Sequence, residues 1–170
     1  MNLKLIGAIL VVAACASVGF GKAAAHRREE KLLRLLINNI EGMLRELKYR
    51  ISSLPALCRG VGQESGSEIS GIFLRLAEEL ERQIAPDAAL CMQVVLEREG
   101  ALPKSVHKHL LRLGECLGRF DLQGQIDSLE HVCRQCREDL DKLNVDRDTR
   151  LRGYQTLGLC AGFALAILLF

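Results

Sequence analysis

Apolar and charged positions divide the 170-residue chain into three stretches. Residues 5–21 read LIGAILVVAACASVGFG and residues 154–170 read YQTLGLCAGFALAILLF, both without a charge. Each runs for about 17 residues, the short limit for a helix that crosses a bilayer core. Between them, 26–153 is charged throughout, and its apolar residues recur every three or four positions. Over 32–54 these are Leu33, Leu36, Ile40, Leu44, Leu47, Ile51 and Leu54. That spacing predicts one long helix with a single apolar face. Gly42 is its one weak point, and Pro55 ends it or starts a new turn.

The segment GQESGSE at 62–68 predicts a loop, and Ser65 followed by Glu68 fits a capping box for the next helix. Ile69, Ile72, Phe73, Leu76, Leu80 and Ile84 would form that helix's buried face. Pro86 suits the first position of a further helix carrying Leu90, Val94 and Val95 and ending near Gly100. Pro103 opens another, through Val106, Leu110, Leu113 and Leu117. Asp121 caps the last, whose apolar positions are Ile126, Leu129, Val132, Cys136, Leu140 and Leu143. The expected fold is all-α: an antiparallel helical bundle at 26–153, flanked by transmembrane helices at 3–25 and 154–170. Composition agrees, since aromatics make up only 4% and Trp is absent, which favours helices over strands.

The first apolar segment has three readings. It is an uncleaved anchor, a signal peptide cut near the small residues at 22–25, or a lipoprotein signal in which VAAC presents Cys15 for lipidation. The apolar run continues past Cys15, and only Lys4 precedes it, so the anchor is the main expectation. Lys22, Arg27, Arg28, Lys31 and Arg34 follow the first anchor, and Lys142, Arg147, Arg150 and Arg152 precede the second. This asymmetry predicts a cytoplasmic middle domain. Small residues recur every four positions at Ala13, Ser17 and Gly21, and again at Gly158, Gly162 and Ala166. Such stripes permit close helix contact in lipid, although Gly and Ala are common in membrane helices for other reasons.

A net charge of +2, without a basic run interleaved with aromatics, argues against nucleic acid as a partner. The segment HVCRQC places His131, Cys133 and Cys136 near one another. A structural zinc site needs four ligands, usually from two such clusters, and Cys58, Cys91 and Cys116 stand alone. Small buried thiols are the expected role here. His107 and His109 lie two apart, on different sides of a helix, and are expected on a solvated face. No phosphate-loop pattern and no nucleophile–histidine pattern is present. The chain is therefore not expected to be an enzyme, to hold a cofactor or metal, or to act on a small-molecule substrate. LGECLGRFD at 113–121 sits at the tail of an amphipathic helix. Gly114 would let another backbone approach, Gly118 would close the helix in a left-handed turn, and Asp121 would start the next.

That corner, with Leu113, Gly114, Leu117, Gly118, Asp121 and Gln125, resembles the stage III sporulation protein AB family. The first apolar segment, Glu46 and Tyr49 followed by Leu54-Pro55, and the closing segment from Gly153 resemble it too. The resemblance implies a part of the mother-cell complex that links mother cell and forespore in endospore-forming bacteria. It implies a two-pass protein of the mother-cell membrane around the forespore. Its cytoplasmic domain would be similar to the helical platform of type II secretion F-type inner-membrane proteins. It would partner sibling stage III proteins, among them a secretion-type ATPase, and the lipid bilayer. The alternative is a membrane-tethered regulator binding a metal through His131, Cys133 and Cys136.

Overall fold

The structure is a computed structural model. It describes the backbone over 2–49, 52–64, 67–82, 87–100, 102–119 and 121–169, and side chains from 24 to 145 within those segments. Six helices occupy the described residues: α1 (Asn2–Tyr49), α2 (Leu54–Gln63), α3 (Glu68–Arg82), α4 (Ala88–Arg98), α5 (Lys104–Cys116) and α6 (Leu122–Leu169). The chain forms two compact units, Glu29–Leu140 and the pair of helix ends Met1–Arg28 and Asp141–Phe170.

Within Glu29–Leu140 the helices pack antiparallel, and cross-helix contacts give the register. Lys48 pairs with Glu130 at 2.8 Å and Glu41 with Arg137 at 2.5 Å, so α1 descends seven residues as α6 climbs seven. Arg59 meets Glu81 between α2 and α3, and Arg98 meets Glu79 between α4 and α3. Arg112 and His109 of α5 reach Gln135 and Asp139 of α6. The antiparallel helical bundle expected from the sequence is present among the described residues.

Hydrophobic burial holds it together. Leu33, Leu36, Ile40 and Met43 of α1 are fully buried, as are Ile69, Ile72, Phe73 and Leu76 of α3, Met92 of α4, and Leu110 and Leu113 of α5. Each such side chain contributes about 1.5–3 kcal/mol.

The helix starts are local. Ser53 is extended, and Pro55 occupies the first turn of α2, where its missing N–H costs nothing. Asp87 Oδ1 accepts from Leu90 N at 2.8 Å to start α4.

Several expectations change. The helix expected over 32–54 is divided: α1 runs to Tyr49, Leu54 belongs to α2, and Pro55 takes the second of its two expected roles, in the first turn of that new helix. The loop at 62–68 is shorter than expected, because Gly62 and Gln63 belong to α2 and Glu68 to α3. Ser67 caps α3, with Ser70 N donating to its Oγ at 3.2 Å; the expected positions Ser65, Ile84 and Pro86 lie outside the described residues. On α4 the core face is Ala88, Cys91, Met92, Val95 and Leu96, while Leu90 is 42% exposed. His109 is not solvated but buried.

The helical backbone continues through both apolar ends. The anchor segments, with Cys15, Gly158, Gly162 and Ala166, lie outside the residues whose side chains are described. Among the described residues, no helix is long and apolar enough to cross a membrane.

Candidate functional site

Two helix junctions meet at one end of the Glu29–Leu140 unit: the α1–α2 turn and the α5–α6 turn. In an antiparallel register, the end of α1 lies beside the start of α6. Lys48–Glu130 fixes this pairing. Both side chains are about half exposed, at 49% and 48%, and each moves the other: the carboxylate raises the Lys48 pKa, and the ammonium lowers that of Glu130.

The α5–α6 turn is built from three backbone devices. Leu117 N donates to Leu113 O at 3.1 Å, closing the last turn of α5. Gly118 follows with φ of 75°, the left-handed conformation that costs other residues about 1–2 kcal/mol. Asp121 then caps α6, accepting from Gly124 N at 3.1 Å through its side chain and from Gln125 N at 2.9 Å through its carbonyl. A methyl group placed on Gly118 would lie 3.4 Å from Leu54 Cδ2, so the two junctions touch.

Just inside the corner, Gly114 is buried against α4. A Cβ there would stand 2.7 Å from Met92 Cβ and 3.4 Å from the Ala88 carbonyl oxygen. On the α1–α2 side, half-buried Glu46 accepts from Ser52 Oγ at 3.3 Å and bridges the turn. Tyr49 is 86% exposed and Leu122 49% exposed, while Gln125 is half-buried. The corner thus brings together Glu46, Tyr49, Leu54, Gly118, Asp121, Leu122 and Gln125. It presents an aromatic and an aliphatic side chain to solvent, on a rim of backbone held by caps. An exposed aromatic beside an exposed aliphatic side chain suits recognition of a partner surface. Sequence reasoning missed Leu122 because a leucine at the first position of a helix reads as core.

The HVCRQC segment is dispersed by its helix. Cys133 and Cys136 are buried, whereas His131 is exposed beside Gln135. Burial raises the Cys133 thiol and pushes those of Cys136 and Cys58 up to about 12. Such thiols stay protonated at neutral pH and are poor ligands and nucleophiles. Among the described residues, no three His, Cys, Asp or Glu side chains gather as a metal site.

His109 is the buried histidine of the bundle. Its Nε2 lies 3.0 Å from Asp139 Oδ2 on α6, while Nδ1 is buried with no hydrogen-bond partner among the described residues. Desolvation holds its pKa below the ordinary 6.5, outweighing Asp139, with Lys108 and Arg112 acting in the same direction as desolvation. A lowered histidine pKa means the unfolded chain binds the proton more readily. Stability conferred by the neutral ring is therefore present above about pH 6.5 and is lost as pH falls below it, by at most about 1.4 kcal/mol per pH unit. His109→Leu should flatten this dependence. Denaturant midpoints at pH 7.5 and 5.5 check it: the wild type should lose more stability than the variant, and equal losses would exclude His109 as the source.

Comparison with known proteins bears on the whole chain. The family model for stage III sporulation protein AB matches residues 4–170. The stage III sporulation protein AB of Bacillus subtilis (strain 168) is 22% identical over 176 residues, covering 98% of this chain and 99% of that protein. A solved structure of a stage III sporulation protein AB superposes with a TM-score of 0.61 at 16% identity, covering 72% of this chain and 98% of that one; at that identity the likeness concerns the fold. With a family match that runs from the first apolar segment through the α5–α6 corner to the last residue, this chain belongs to the stage III sporulation protein AB family.

Proposed function

We propose that the chain is a non-enzymatic platform protein of a sporulation-specific, secretion-like complex between mother cell and forespore. In this reading both apolar segments are membrane anchors in the mother-cell membrane around the forespore, with the intervening domain in the cytoplasm. The basic residues beside both segments support that orientation. The domain docks a cytoplasmic ATPase, the stripe Gly158, Gly162 and Ala166 contacts sibling membrane subunits, and the work done is binding and force transfer. Family membership supports the sporulation role and partnership with other stage III proteins.

The observation that carries the docking reading is the corner. The segments around Glu46–Tyr49 and Gly118–Gln125, which bear the family likeness, converge at one end of the bundle and leave Tyr49 86% exposed. Tyrosine is enriched among the anchors of protein interfaces.

Tyr49→Ala tests this. Truncating an interface anchor typically costs at least about 2 kcal/mol of binding, so co-purification of the ATPase or sibling subunits with the full-length chain should drop sharply. The melting of the bundle should barely move, because the side chain makes little contact within the fold. Unchanged co-purification would remove the corner as a docking site.

A further inference from the structure

We infer that the open groove along α5 is a second docking site, and that its occupant is an acidic amphipathic helix of a partner protein. This rests on the platform reading and names the chemistry of one partner. The groove is shallow and open to solvent, has a volume of about 410 Å³, and is lined by Leu102, Lys104, His107, Lys108, Leu111, Arg112 and Glu115. Lys104, Lys108 and Arg112 follow one another at four-residue intervals along one face of the helix, about 6 Å apart per step. Leu102 and Leu111 are half-buried beside them.

Three observations indicate that these charges face something outside the chain. Elsewhere on the bundle Arg34, Lys48, Arg59, Arg82, Arg98 and Arg137 each pair with a carboxylate, as does Arg75 with Glu99; Lys31, Arg45, Arg119 and Arg134 do not among the described residues, but these four do not line the groove. Lys104 and Lys108 make no ion pair among the described residues, and Arg112 donates to the neutral Gln135 at 2.5 Å. On α1, Glu29 accepts from Ser105 Oγ and not from either lysine. Lys104 also occupies the first position of α5, whose first turn holds no acidic residue. A cation there opposes the helix dipole, so its placement does not serve the helix itself. Glu115 is the one carboxylate in the lining, three residues beyond Arg112 at the far end.

The shape selects among anionic partners. A plane of lipid headgroups would meet the exposed ammonium groups of Lys104 and Lys108 without reaching half-buried Leu102 and Leu111. A helix is convex, and carboxylates at i, i+4 and i+8 match the cation spacing while its apolar side chains reach Leu102 and Leu111. The charges would then speed encounter and set the register, and the leucine contacts would slow release.

The test uses the full-length chain in a spore-forming host lacking its own copy. A photo-cross-linking residue at Leu111 should react with a partner segment whose carboxylates recur every three or four positions. The double variant Lys104→Glu, Lys108→Glu should lower that cross-linked yield at least about tenfold, equivalent to 1.4 kcal/mol, and reduce heat-resistant spores. Replacing the mapped carboxylates by lysine should restore both. Cross-links to lipid only, or to a segment without the acidic stripe, would overturn the inference, as would wild-type yield in the double variant or failure of the reciprocal charge swap. Because Tyr49→Ala is scored separately at the corner, a failure here leaves the platform reading standing, whereas unchanged co-purification in Tyr49→Ala together with no protein cross-link at Leu111 would end it.

Discussion

Gly114→Leu is expected to destabilise the bundle by about 1–3 kcal/mol, the usual cost of forcing a larger side chain into a packed contact. The collision begins at the first carbon. Any Cβ at 114 would lie 2.7 Å from Met92 Cβ, an atom fixed to the α4 backbone, and 3.4 Å from the Ala88 carbonyl oxygen. Rotamer changes cannot relieve this, so α4 and α5 must move apart. Gly114→Ala should therefore also destabilise, even though alanine gains up to about 1 kcal/mol over glycine inside a helix. Gly60→Ala supplies the opposite sign: it is helical, and nothing lies within 4 Å of its added methyl. Urea unfolding of a fragment spanning 26–153, which contains the compact unit, measures all three. A Gly114→Ala variant as stable as Gly60→Ala would show that the α4–α5 contact is not close.

Met92→Ala should cost more, about 2–5 kcal/mol, because the side chain is 0% exposed and its removal leaves a cavity. Leu90→Ala, two residues away and 42% exposed, should change stability by less than about 0.5 kcal/mol. Comparable losses at both positions would mean that α4 is rotated from the orientation described here. The comparison also separates the two ways of reading α4, since the sequence pattern places Leu90 on the core face and the structure places Met92 there.

That difference has a physical origin. Apart from Gln93, Glu97 and Arg98, every residue of α4 is apolar. Periodicity cannot select a face when nearly all positions are acceptable; the neighbours on α3 and α5 select it. His109 was open to the opposite error. It stands three residues after Val106 and four before Leu113, the spacing of the buried face, but histidine's polarity argued for solvent. Asp139, thirty positions away in sequence, makes burial tolerable by hydrogen bonding to Nε2. Likewise Gly62 reads as a loop residue. In the fold it is helical, and a Cβ on it would stand 2.7 Å from Leu74 Cγ, so it is the point where α2 meets α3.

What the sequence determined by itself is what depends on nearby residues. The all-helical class, the α5 and α6 faces, the left-handed Gly118 and the Asp121 cap all follow from propensity, spacing and hydrogen bonds spanning at most a few positions. The segments that carry the family likeness were readable for the same reason. What only the tertiary structure decided involves residues far apart in the chain: the separate helix α2, the facing of α4, the burial of His109, and the meeting of the α1–α2 and α5–α6 turns. Local rules fix where a helix starts and stops. Its rotation and its neighbours are set by the combined burial and steric fit of side chains from other helices, which no single segment encodes.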